Sequence, residues 1–272
     1  MKQLFFLAQA LLFCSFLQAQ KLMELPPALD SVSPMQVKQR SGIAFMRYEF
    51  GPYRLIQGKG GWAKTTEERE GGFLSFFLSN VRDVVSNTRE KRSFKLINQT
   101  GDTAVVNMVV TTVLQFEQYK KGLIGNQYES ERFQGAYANW IASVDTKDTS
   151  QHWILTAFKA EKAGIIFDKT TPLQATLRNG DRELQVVPVQ QYGTGKKAWD
   201  PVGFVVSDKG VPLAAMQFRG DNPLKNHVQS FIWIAPDNDA QMQLMLATAL
   251  TALLSIAHET YYGSLQDAGP PR

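Results

Sequence analysis

The side chains best able to do chemistry in this sequence are three histidines, one cysteine, a glycine–lysine loop and scattered carboxylates. His152, His227 and His258 stand far apart, and no two have the i, i+4 spacing that places two imidazoles on one helix turn for a metal. His258-Glu259 lacks the second histidine of a zinc-protease motif. Structural roles are expected for all three, with His258 at a helix end, where a histidine is favoured by the dipole and can bond the last carbonyls. No G-x-S-x-G occurs, and Gly263-Ser264 lies in a tail, so nothing signals a serine nucleophile. Gly193-Thr194-Gly195-Lys196-Lys197 looks like a phosphate loop at first sight. Gln190 stands where the first glycine of a P-loop is needed, and Lys197 where Ser or Thr must reach magnesium, so it reads as an inter-strand loop. A carboxylate pair for glycoside hydrolysis would come from different strands, where spacing along the chain does not define it.

Cys14 is the sole cysteine, and it lies in a segment expected to be removed. Residues 1–20 carry Lys2, an apolar run from Leu4 to Leu17 and a small residue, Ala19, at a cleavage point. This is the pattern of a secretory signal peptide. A retained anchor is the other reading, but the run is short for a span of roughly 20 residues and no stop-transfer charges follow. Phe13 before Cys14 argues against lipid attachment, which needs a small residue there. Cleavage after Ala19 leaves 253 of the 272 residues, and losing Lys2 lowers the net charge from +4 to +3. A mature chain without cysteine has no disulfide, thiol nucleophile or cysteine metal site. Its charge bias is too weak to imply nucleic acid. A chain of this length with 44% hydrophobic residues can bury an ordinary core.

The elements that must carry these groups follow from periodicity. Residues 20–41 contain Pro26, Pro27 and Pro34 and read as an extended leader. From residue 42 onward, alternating apolar runs separated by turn residues predict an antiparallel meander closed into a barrel or sandwich. Asn98-Gln99-Thr100-Gly101-Asp102 and Asp208-Lys209-Gly210 mark hairpins. Asn179-Gly180 is the strongest turn signal, read as a pair with positive φ at both residues. The run from residue 103 to 117 is long enough to need a bulge. Residues 67–92 differ: Phe73, Phe77, Val81, Val84 and Val85 lie near helical spacing, which predicts one amphipathic helix packed on the sheet.

Residues 240–257, AQMQLMLATALTALLSIA, contain no charge and are apolar on all sides. Such a helix is enclosed by protein or by membrane. Eighteen residues rich in Ala and Thr, without a basic flank, fit the core of a barrel better than a tail anchor. Asp237 is the predicted N-cap. The sequence GFVVSDKGVPLAAMQF, then SFIWIA, Asp237, this helix and Tyr261-Tyr262 resembles the tubby C-terminal-like superfamily, which includes tubby proteins, phospholipid scramblases and LURP-one-related proteins. The resemblance is closest over residues 203–262. It implies a closed barrel wrapped around a hydrophobic C-terminal helix. The helix predicted around Phe73 is extra to that pattern, and no D-x-D-x-[DN]-G loop is present.

The expected organisation is a signal peptide (1–19), a leader (20–41), a single β-barrel domain (42–262) and a tail (263–272). The expected protein is secreted or periplasmic and non-catalytic, without a cofactor, and binds an anionic lipid surface or another envelope component. Lys120, Lys121, Lys196 and Lys197 are the candidate ligand contacts, because basic loop ends attract anionic head groups. Two rival readings are a lipocalin-like or helix-grip carrier of an apolar ligand and an enzyme whose polar residues converge from barrel loops.

Overall fold

The computed structural model describes residues 21–40, 47–69, 81–120, 128–147, 152–162, 172–220 and 229–262. The signal-peptide segment, the tail from residue 263, Lys121 and His227 lie outside the described residues. The chain opens with a short helix, α1 (Pro27–Asp30), then β1 (Met35–Arg40), β2 (Arg47–Phe50), β3 (Tyr53–Gly60) and β4 (Lys64–Arg69). Three long strands follow: β5 (Val81–Ile97), β6 (Thr103–Lys120) and β7 (Tyr128–Thr146). Next come β8 (His152–Lys162), β9 (Gln174–Asn179), β10 (Arg182–Val189), β11 (Gly203–Asp208), β12 (Val211–Gln217) and β13 (Ser230–Ile234). The helix α2 (Ala240–Tyr262) ends the described chain. Met35–Arg40, the last part of the stretch read as a leader, is thus a barrel strand.

Consecutive strands pair antiparallel except β3 and β4, β1 pairs with β13, and β3 pairs with β5. Twelve strands therefore close into a ring, and β4 hangs outside it on the edge of β5. Closure matters because it leaves no unpaired strand edge in the ring. Period-two alternation sends one side of every strand inward. On β6 these are Ala104, Val106, Met108, Val110 and Leu114, and on β7 Ala136, Ala138, Trp140, Ala142 and Val144. All twelve ring strands contribute to one buried cluster, and the same cluster contains α2 from Met242 to Ala257. The helix therefore runs inside the barrel. Small inward residues such as Ala138, Ala142 and Ala214 let the strands approach it.

By length and composition α2 could cross a membrane, yet 78% of its most apolar window is buried within the molecule. Its few polar groups are satisfied locally. Thr248 and Thr251 donate to the carbonyls of Leu244 and Ala247, four residues back, at 2.7 Å each. Tyr48 on β2 meets Ser255, and burial pushes the Tyr48 phenol up to about 12. The N-cap is Asp239, whose carboxylate accepts the Met242 N–H at 2.7 Å; Asp237, the residue expected from sequence, lies two positions too early.

Two further expectations change, and a third is met. The amphipathic helix over residues 67–92 is absent from both described flanks: Lys64–Arg69 is β4 and Val81–Ile97 is β5. Residues 70–80, with Phe73 and Phe77, lie outside the described residues. Long-range pairing decides the flanks, since β5 is held along its whole length by β6. The Asn179 turn is shifted by one. Asn179 pairs with Arg182, so Gly180 and Asp181 are the central residues, and of these only Gly180 has positive φ (55°). The two-positive-φ turn falls instead at Lys209-Gly210 (48° and 86°). The bulge expected around the long run is present, with register slipping between Gln115 and Phe116 because Gln134 on β7 is the extra residue.

The leader lies on the outside of the barrel. Met23, Leu29, Tyr192, Val202, Val205, Ala215 and Trp233 form a second buried cluster. The fully buried Gln217 side chain ties it down, accepting Met23 N–H at 2.9 Å and donating to the carbonyls of Lys21 (3.0 Å) and Arg219 (2.9 Å). Gly203 is required beneath this strap, because a Cβ there would collide with the Met216 carbonyl and the Met23 sulfur.

Candidate functional site

Up-and-down order brings the ends of β6, β8, β10 and β12 and the starts of β7, β9, β11 and β13 to one rim. The C-terminus of α2 emerges there. Tyr261 Oη accepts the N–H of Leu173 (3.1 Å), just before β9, and Tyr262 Oη donates to the carbonyl of Phe218 (3.1 Å), just after β12. A core helix leaving a closed barrel interrupts the hydrophobic seal, so polar groups gather at this rim in two clusters.

The first cluster surrounds Arg92. Its guanidinium binds Glu259 on α2 at 2.6 and 3.2 Å and Glu90 at 2.8 Å through two nitrogens. These two carboxylates hold its pKa above the ordinary arginine value against the opposing effect of burial, which is the largest single influence. Arg92 shares the inward parity of Phe94 and Leu96 and faces Glu259, so it is not part of a solvated basic run with Arg89 and Lys91. His258 lies near the same helix end, with Gln39 Nε2 and Ser230 Oγ each 3.4 Å from a ring nitrogen. Desolvation depresses its pKa to about 4, partly opposed by a hydrogen bond to the Phe218 backbone. The helix-end position expected from the sequence holds, and burial there keeps the ring neutral at neutral pH. His152, at the opposite rim, pairs with Asp145.

The second cluster is at the β8–β11 side. Lys159 shares the inward parity of Trp153, Leu155 and Ala157, and its side chain is 4% exposed. Its ammonium lies 4.6 Å from the centroid of Tyr261 and 3.9 Å from a Glu161 oxygen. Burial lowers its pKa, opposed by the nearby Glu161 and Asp200 carboxylates. Burial also pushes the Tyr261 phenol up to about 12. Asp200 accepts from Arg219 Nη1 at 2.7 Å. Beside these groups is an open pocket of about 270 Å³, lined among others by Pro172, Gln190, Trp199, Asp200, Pro201 and Tyr261. Lys159 went unnoticed in the sequence, although the alternation of HWILTAFKA already placed it on the inward side.

Of the lysines singled out from the sequence, Lys121 lies outside the described residues, and the backbone of Lys120 stands apart from Lys196 and Lys197. Lys196 and Lys197 are exposed on the loop between β10 and β11 whose next residues, Ala198–Pro201, wall the pocket. Lys120 ends β6 five residues beyond Gln115. At about 3.3 Å per residue that places its backbone roughly 17 Å further along the strand, on an extension formed by β4, β5, β6 and β7. Two tryptophans that the sequence reading left unassigned stand exposed at the same rim, Trp199 (72%) and Trp62 (99%). Trp62 follows β3 where β3 meets β5, and Trp199 lies between β10 and β11, so the ring order places them on opposite sides of the rim.

Comparisons of this chain with protein-family models, with curated proteins and with solved structures find no match.

Proposed function

We propose that this chain is an exported, non-catalytic binding protein of the tubby-like kind, which touches an anionic lipid surface with the rim where its core helix emerges. The single observation that carries the reading is the pair of exposed tryptophans on opposite sides of that rim, one of them beside Lys196 and Lys197. Indole rings favour the head-group level of a bilayer, and lysines near an anionic surface add about 1 kcal/mol each. The filled interior also favours a surface over an internal cargo, because α2 side chains occupy the space in which a lipocalin-like carrier holds its ligand. Support for the tubby-like assignment comes from the twelve-strand ring around a C-terminal helix together with the pattern over residues 203–262. Support for export comes from residues 1–19.

Liposome flotation tests the lipid reading. The protein should float with phosphatidylglycerol-containing vesicles and stay down with phosphatidylcholine alone. Replacing both Lys196 and Lys197 by Ala should weaken association roughly tenfold or more. Binding to neither vesicle removes the lipid reading. Export is tested separately by intact mass. The exported chain should begin near Gln20, whereas a full-length membrane-bound product would remove that part.

A further inference from the structure

We propose that the outer wall of the barrel around Lys59, Lys64, Arg89, Lys91 and Lys95 is a binding surface for an acidic polysaccharide chain. This goes beyond the lipid reading and does not rest on it. The even-numbered residues Phe94 and Leu96 of β5 are buried, so the odd-numbered Arg89, Lys91 and Lys95 stand on its outer face. The register sets Lys64 of β4 opposite Arg89, Lys59 of β3 opposite Ser93, and Gln57 opposite Lys95. The cations thus occupy adjacent strands over six residue steps, roughly 20 Å along β5. Among the described residues, none of these five side chains makes a hydrogen bond or an ion pair.

Stability alone does not ask for this arrangement. Like charges directly opposite on neighbouring strands are destabilising, and Lys64 faces Arg89 in register. Surface charges that serve only solubility are interspersed in sign. Here they are sorted: Glu68, Asp83 and Glu117, the carboxylates of the same face, lie further out on the extension. Glu68 is four residues beyond Lys64, roughly 13 Å along the strand and past the ~8 Å screening length of physiological salt. Charges spread over roughly 20 Å outrun a single small anion and suit a chain with repeated charges. Their outward neighbours in register are Gln57, Asn87, Ser93, Asn107 and Thr111, whose amides and hydroxyls match the hydroxyl groups of sugars. No row of aromatic rings stands among them, and such rows hold single-stranded nucleic acid. Trp62, 99% exposed between Lys59 and Lys64 in the chain, is a single ring at the border that offers one sugar an apolar face. Strand side chains stand roughly perpendicular to the sheet, so these cations point sideways from the barrel while the rim faces along its axis.

Titration of the purified protein tests this with dextran sulfate, unmodified dextran of the same length, a single-stranded oligothymidine and phosphatidylglycerol vesicles. At low salt dextran sulfate should bind and dextran should not, with the oligothymidine roughly tenfold weaker. The double variant Lys64→Gln, Arg89→Gln should weaken dextran sulfate roughly tenfold or more and flatten its salt dependence, because fewer counterions are released. Vesicle flotation should not change. Its thermal midpoint should equal or exceed that of the parent, because the like-charge pair is gone, whereas a structural role would lower it. The control Lys196→Ala, Lys197→Ala removes as much charge and should bind dextran sulfate like the parent. The proposal is overturned if dextran sulfate does not bind, if the oligothymidine binds as tightly, or if the double variant binds like the parent. It is equally overturned if that variant melts lower or loses flotation in parallel, or if the control loses as much dextran sulfate binding. Flotation without dextran sulfate binding removes the polysaccharide surface and leaves the rim reading standing. Dextran sulfate binding without flotation does the reverse.

Discussion

Replacing Leu250 by Ala should destabilise the protein by about 2–5 kcal/mol, measured by denaturant melts at neutral pH. Leu250 is 1% exposed near the middle of α2 and belongs to the cluster fed by all twelve ring strands. A cavity at that position is surrounded by a closed hydrogen-bonded sheet. Such a sheet cannot contract around a lost isobutyl group, so the upper part of the range applies. Ala249→Asp should be more damaging still. The site is 4% exposed within the apolar core cluster, so a carboxylate there would be buried among hydrophobic side chains. The most severe change is removal of residues 238–272. The ring strands would then face a void the length of α2, and no folded protein should be recovered. A cooperative melt from that truncated chain would show that the barrel stands without its helix, and would remove the enclosed-helix description and the tubby-like proposal together.

What could be read in advance divides along physical lines. The barrel was legible because a half-buried strand writes its own period, as in β8, where Trp153, Leu155 and Ala157 alternate with Ile154, Thr156 and Phe158. The core helix was legible because eighteen residues without a charge have no soluble exposed position. Residues 67–92 were misread because two periods compete there. The spacing of Val81, Val84 and Val85 fits a helix, but Val84, Phe94 and Leu96 share the even parity that turns toward the core in β5. Which period wins depends on the pairing with β6, a contact that lies far away in sequence. The rim clusters were illegible for the same reason. Arg92 and Glu259 are 167 residues apart, and nothing local in either segment announces the other.

Lowering the pH from 7.5 to 4.5 should cost the protein about 2–3 kcal/mol through His258 alone. Its imidazole has a folded pKa near 4 against 6.5 for a free imidazole, because burial at the helix exit disfavours the charged ring. The unfolded chain therefore takes up a proton between pH 6.5 and 4 while the folded protein does not. More protons on the unfolded side mean that stability rises with pH in this window. The contribution is complete above pH 6.5 and is lost as pH falls toward 4. A shift of this size corresponds to roughly 3 kcal/mol at the limit, a large part of the 5–15 kcal/mol typical of a domain. No charged group is among the causes of the shift, so salt should change it little. The ring meets Gln39, Ser230, the Phe218 backbone and the Tyr262 ring. Carboxylates elsewhere also titrate below pH 5, so the measurement is a difference. Denaturant melts of the parent and of His258→Gln are compared at pH 7.5 and 4.5. The Gln variant, which cannot protonate, should lose about 2–3 kcal/mol less than the parent over that interval. Equal losses would mean that His258 titrates alike folded and unfolded, and that the helix exit is open to water at that side chain.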